Sequence, residues 1–208
     1  MKKFITYCIL AALLAGITPF AASAQTFTVE GGTTGNHLYN LLYTWYDAPR
    51  TQRLATHLPA SQIVAGGMTA GSVISSIELE RLVGDVQSFP AGGANVKIYL
   101  ENRDASSLDL GAGTLTWATI IAPATLVYDG DPSGPLGNSP GWKLFNFGTG
   151  AGTASTFTYT GGALVIYADY IHTVSTGASP AIPLRYATAA QGLPAPNGRT
   201  SNSTKYTN

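Results

Sequence analysis

Val96-Lys97-Ile98-Tyr99-Leu100-Glu101 alternates strictly between apolar and polar side chains. A period of two sends Val96, Ile98 and Leu100 to one face and Lys97, Tyr99 and Glu101 to the other, which is the pattern of a half-buried strand. Similar patterns lie on both sides of it. Upstream, Val73, Ser75, Ile77 and Leu79 alternate with Ile74, Ser76, Glu78 and Glu80. Downstream, strands are expected at 125–128, closed by Asp129-Gly130, and at 142–147, opened by Pro140-Gly141. Two more, at 157–160 and 163–170, flank Gly161-Gly162, a pair that reaches positive φ freely and suits a turn or a sharp bend. Residues 36–46 and 53–58 read as strands near the start, and 184–187 as a weaker one. The single helical candidate is one turn beginning at Pro59 and ending before Gly66-Gly67. About eight short strands with turn chemistry between them predict an all-β domain, an antiparallel β-sandwich of jelly-roll-like order. No repeat of 20 to 50 residues points to a propeller or solenoid.

Outward from that domain, residues 1–24 read as a secretory signal. Lys2 and Lys3 form a basic start, residues 4–15 a short apolar run, and Ala22-Ser23-Ala24 a small-residue cleavage pattern, so the mature chain is expected to begin at Gln25. The apolar run is broken by Gly16, Thr18 and Pro19, short of the roughly 20 residues that a membrane-spanning helix needs. No membrane span is expected in the mature chain, and its destination is extracellular or the cell surface. The only cysteine, Cys8, leaves with the signal, so disulfides, thiol catalysis and cysteine-bound metals are excluded. Folding then rests on core burial, which about 180 residues supply by hiding roughly 70% of their extended-chain surface. Loss of Lys2 and Lys3 leaves nine basic against eleven acidic residues, a net of −2, with no basic footprint for nucleic acid. The β-sandwich is expected over 25–190. Residues 191–208, rich in Pro, Gly, Ser, Thr and Asn, read as a tail or linker.

In order, these segments resemble a recurrent jelly-roll-like β-sandwich module of large secreted and cell-surface proteins that bacteria export by the type IX route. Thr51-Gln52-Arg53-Leu54 resembles its Ser/Thr-Gln-x-Ile/Leu element, and Ser61-Gln62-Ile63 stands where a small residue, Glu and Ile or Leu are usual. Val73-Ile74-Ser75-Ser76-Ile77 is similar to its Ile-x-Ser-Ile strand, and Val96-Lys97-Ile98-Tyr99-Leu100 to its Val-x-Ile-Tyr-Leu strand. Trp117, Leu126-Val127-Tyr128-Asp129-Gly130 and Gly141-Trp142 follow in the module's order, and the segment from Phe157 to Ile166 is similar to Phe-x-Tyr-x-Gly-x-x-Leu-x-Ile. Gln62 in place of Glu, and Ala55 where an aromatic is common, depart from the pattern. The resemblance implies a non-catalytic accessory role, makes Trp117 and Trp142 structural, and carries no catalytic residues. The module's closing strand and C-terminal sorting domain are not read after Asn208, so the chain is expected either to be part of a longer protein or to end differently from proteins that carry the module.

Candidate chemistry is sparse. His37, His57 and His172 are far apart and lack metal-ligand spacing. No Gly-x-Ser-x-Gly elbow supports a serine hydrolase. Glu78 and Glu80 lie about 7 Å apart along one strand face, a spacing that suits glycoside hydrolysis only inside a cleft; a solvated face accounts for them better. No catalytic residue is assigned, and the chain is not expected to be an enzyme. The metal candidate is Asp129 and Asp131 with Asn138, oxygen donors of the kind Ca2+ takes, against the alternative of a polar turn; otherwise no cofactor is expected. The ligand candidate is Tyr39, Tyr43 and Trp45, which share one face and would stack on a glycan ring if exposed, against burial in the core. The expected function is an extracellular interaction or adhesion module whose partner is a glycan or a surface protein. A carbohydrate-binding module is the alternative and a secreted hydrolase the least favoured.

Overall fold

A computed structural model describes residues 50–81, 92–104, 115–173 and 206–207. This part is rich in strand, with antiparallel sheets, and is compatible with the all-β class. The segment read as a signal and the strands expected at 36–46 and 184–187 lie outside the described residues.

Four strands form the main sheet: β1 (Arg50–Leu58), β4 (Ala94–Arg103), β6 (Thr125–Gly130) and β9 (Ala163–His172), in the order β1-β9-β4-β6 and antiparallel throughout. The alternation of β4 is realised as read. Val96, Ile98 and Leu100 are fully buried, and Lys97 and Tyr99 are half-buried on the other face. The apolar face packs with Tyr128, Leu164 and Tyr170 of the same sheet and with Leu136, Phe145 and Phe147. Burying each such side chain contributes about 1.5–3 kcal/mol. Ile63, on the helical turn α1 (Ala60–Ala65) that follows β1, enters the same cluster.

Two further strands share this core. β3 (Ser76–Arg81) pairs antiparallel with β7 (Gly141–Asn146), setting Ile77 opposite Phe145 and Leu79 opposite Lys143. Ile77 and Leu79 both pack against the main cluster. The strand expected through Val73 to Glu80 is not continuous. β2 (Val73–Ile74) pairs instead with β8 (Phe157–Thr158), and the pairing changes hands at Ser75, whose carbonyl accepts from Phe147 N–H. A one-residue break flips the inward face. Ile74 therefore packs inward while Val73, placed by strict alternation beside Ile77, is 63% exposed.

The opposite face of the main sheet is roofed by a helix absent from the sequence reading, α2 (Trp117–Ile121). It follows β5 (Leu115–Thr116), which pairs with β10 (Tyr206–Thr207) inside the segment read as a polar tail. Thr116 Oγ1 accepts from Thr119 N–H at 3.2 Å, an N-cap. Trp117 and Ile120, three apart on one helix face, bury against Ala55, Val165 and Tyr167. A five-residue helix is too short to stand on propensity, so this burial holds it. A second missed helix, α3 (Ser133–Leu136), delivers Leu136 to the main core.

Asp129-Gly130, expected to close a strand as a turn, are its last two residues. The chain that would have been an open edge of β6 is covered by a loop: Asp129 N–H donates to Thr149, Ala154 N–H to Leu126, and Gly148 N–H to Val127, at 2.9–3.0 Å. At Gly150, φ is +93° and a Cβ would stand 2.2 Å from the Asp129 carbonyl oxygen, so only glycine allows that approach. Gly161-Gly162 take φ of +98° and +77° between β8 and β9, as the sequence suggested.

Candidate functional site

Strand register gathers the charged residues of the helix-roofed face into one row. Arg53 stands opposite Asp169, Asp169 opposite Lys97, and Lys97 opposite Asp129, so sign alternates across all four strands. Arg53 Nε lies 3.4 Å from Asp169 Oδ1 and Lys97 Nζ 3.3 Å from Asp129 Oδ2. Asn95 Nδ2 donates to Asp129 Oδ1 at 2.7 Å. The Arg53 guanidinium also sits 5.6 Å from the centre of the Trp117 ring, and Trp117 meets Tyr167 edge-on at 6.1 Å. Burial pushes the Asp169 carboxyl up, against the downward pull of Arg53 and Lys97. The hydrogen bond and charge of Asp129 raise the Lys97 ammonium.

Further along the same face, the Tyr167 hydroxyl donates to Glu101 Oε2 at 2.5 Å, and Glu101 Oε1 lies 3.4 Å from Arg103 Nε. Burial, then the bond to Glu101, raises the Tyr167 hydroxyl. Each of these charges is held by a neighbour of opposite sign or by a donor. Such a row fixes register and keeps charges on a partly covered face compatible with folding. It presents no poised nucleophile.

The proposed metal ligands take separate partners. Asp129 is engaged by Asn95 and Lys97 as above. Asp131 Oδ1 accepts from Ser133 N–H at 2.8 Å and Oδ2 from Gly92 N–H at 3.1 Å, which ties the start of α3 to the approach to β4. Burial alone would raise the Asp131 carboxyl, but those hydrogen bonds outweigh it and hold it below its ordinary value. Asn138 is exposed beyond α3. Among the described residues no three His, Asp or Glu side chains cluster as metal ligands would. His57 is 2% exposed within β1, His37 lies outside the described residues, and His172 ends β9.

The aromatic candidates Tyr39, Tyr43 and Trp45 lie outside the described residues. An exposed aromatic is found elsewhere. Trp142 of β7 is 53% exposed and Leu144 is 43% exposed on the same face. Register sets Glu80 opposite Trp142, Glu78 opposite Leu144 and Ser76 opposite Asn146. Glu78 and Glu80 share the face away from the core, Glu78 exposed and Glu80 half-buried. The inner face of the same strands takes the cations. Arg81, buried, donates to the carbonyls of Leu136 and Gly137 at the end of α3, and buried Lys143 donates to Ser139 Oγ at 3.5 Å. Sequence reasoning missed this face because Trp142-x-Leu144 is apolar while Lys143-x-Phe145 carries a charge, so alternation alone would turn the wrong side toward the core.

No protein family, curated protein or solved structure is matched by the chain.

Proposed function

We propose that this chain is an exported, non-catalytic interaction module, an antiparallel β-sandwich of jelly-roll type that serves a secreted or surface protein in adhesion or as an accessory. The observation that carries this reading is the strip of Trp142 and Leu144 left open on the outer face of β3 and β7. A large aromatic placed on a hydrogen-bonded strand pair, rather than buried, is a contact surface of fixed shape. The engaged state of Arg53, Asp169, Lys97 and Asp129 supports it as well, since those charges hold strands together instead of awaiting substrate. The basic-apolar-small pattern of residues 1–24 and the resemblance to the type IX module support export.

Trp142 also favours a second reading, glycan binding, because a pyranose ring stacks on an exposed indole. One experiment addresses both. The full chain is produced with its own signal, recovered from the exporting compartment, and its N-terminus determined; cleavage before Gln25 is expected. The recovered protein is then screened against arrays of glycans and of extracellular polypeptides, beside Trp142→Ala. Binding that falls in the variant supports a module acting through this face. Silence on both arrays from folded protein sinks the interaction reading.

A further inference from the structure

Among the described residues β6 and β7 are both edge strands, and the fold treats the two edges differently. The outer edge of β6 is covered by the loop that follows β7, with Gly150 admitting the close approach. β7 pairs with β3 on one side, and among the described residues no strand lies on its other side. Phe147 N–H donates to the Ser75 carbonyl, so positions 75 and 147 form a hydrogen-bonded pair. Such pairs alternate along an antiparallel ladder. Phe145 and Lys143 therefore bond to β3, while the main-chain groups of Trp142, Leu144 and Asn146 point outward. Among the described residues no main-chain group meets them. The Asn146 carbonyl accepts from Thr149 Oγ1 at 2.8 Å and keeps a second lone pair. An open edge is a template for another strand, which proteins ordinarily blunt with Lys, Pro or a covering loop. Here the side chains that flank it are exposed Trp142 and Leu144, and the one charge of the strand, Lys143, is turned inward.

We infer that this edge pairs with the same edge of a second copy of the chain, continuing the sheet as β3-β7-β7-β3 about a twofold axis. Register carries the choice of occupant. Antiparallel pairing centred on Leu144 sets Leu144 against the partner's Leu144 and Trp142 against the partner's Asn146. Each outward N–H and C=O then meets a group, for about six hydrogen bonds. A centre at Lys143 opposes that charge to the partner's Lys143 and sets Asn146 against the partner's Pro140, which has no N–H. A centre at Phe145 sets Trp142 against the partner's Gly148, whose N–H is already given to Val127 and Ala154. β7 thus selects one register with itself. In that register Lys143 stands opposite the partner's Phe145, and no like charges meet. On the outer face Leu144 covers the partner's Leu144, and Trp142 reaches it diagonally. A strand of 6 residues is small beside the roughly 20–30 residues a side of a standard interface, so the pairing is reversible and concentration-dependent. The inference stands on the edge and needs neither the export nor the adhesion reading.

The test is sedimentation velocity of the exported protein over a concentration series, beside Leu144→Pro, Leu144→Lys and Leu144→Glu. The parent is expected to pass reversibly from monomer to dimer as concentration rises. Leu144→Pro removes an outward N–H, a place where edge strands accept proline. It should weaken the dimer about tenfold or more, since both copies lose a bond. Leu144→Lys and Leu144→Glu each oppose like charges at the twofold and should weaken it by a similar factor. Mixed together, the lysine and glutamate variants should recover the dimer, which requires position 144 to face itself. Thermal midpoints check that each variant is folded; if the proline variant unfolds, the lysine and glutamate pair decides. A parent that stays monomeric, a dimer indifferent to these substitutions, or a mixture that does not associate overturns the inference. A monomer whose array binding is lost in Leu144→Pro would mean that the edge takes a strand of another polypeptide, which overturns self-pairing and leaves the interaction module standing. A dimer with silent arrays supports the inference and removes the module reading.

Discussion

Trp117 and Trp142 make an instructive pair. Both stand near the start of short elements, and the family resemblance implied a structural place for both. Trp117 begins α2 and is 5% exposed, with Arg53 over its ring and Tyr167 at its edge. Trp142 is the second residue of β7 and is more than half exposed, with Glu80 opposite. The charges around them differ in the same way. Near Trp117, register pairs opposite signs across four strands and each charge is engaged. Beside Trp142, the strands put like charges together on one face and bury the opposite sign behind them. The first arrangement spends its charges on the fold; the second leaves Trp142 and Leu144 exposed on the face that carries Glu78.

The strongest way to break this comparison is to cut both indoles. Trp117→Ala opens a cavity under α2 and removes the platform of Arg53, so it should lose about 3–5 kcal/mol and lower the melting temperature on the order of 10 °C. An unchanged midpoint by circular dichroism would mean that α2 does not roof the sheet. Tyr167→Phe, beside Trp117, removes the donor to Glu101 and should cost about 1–2 kcal/mol in urea unfolding with the slope unchanged.

A pH series sharpens the contrast within the polar residues. The Asp131 carboxyl is held below its ordinary value, so its contribution is present above the unfolded value of about 4 and lost as pH falls through the folded one. The stability gap between the protein and Asp131→Asn should therefore close in acid. Asp169 is raised by burial, so its contribution is fully present below about 4 and is lost as pH rises through its folded value. The gap to Asp169→Asn should widen in acid instead. Melting curves of the three proteins from pH 3 to 7 would show the two trends crossing; parallel curves would refute the assignment. The smallest effect is expected at Trp142→Ala, within about 0.5 kcal/mol of the parent. A large loss there would place the indole in the core and remove the open face.

Much of the strand inventory was legible because a period of two survives wherever one face is buried. β4 and β9 were read nearly to their ends, and Gly161-Gly162 announced the bend between β8 and β9. The misreadings have particular causes. The break at Ser75 was invisible because Val73-x-Ser75-x-Ile77 continues an alternation that the change of partner strand interrupts. α2 was invisible because its five residues owe their form to what they cover. The exposed Trp142 face was not legible, since Lys143 looks like an outward residue until Ser139 places an acceptor on the inner side.

By itself the sequence determined the class. Alternating apolar residues and glycine-bounded strands specify a strand-rich core, and residues 1–24 carry the pattern read as an export signal. The tertiary structure decided the rest: that β9 lies between β1 and β4, that four charges align in one row, and which face of β7 meets solvent. Alternation encodes two faces but not the neighbour of either, and a charge is neutralised or left open by residues brought to it from distant strands.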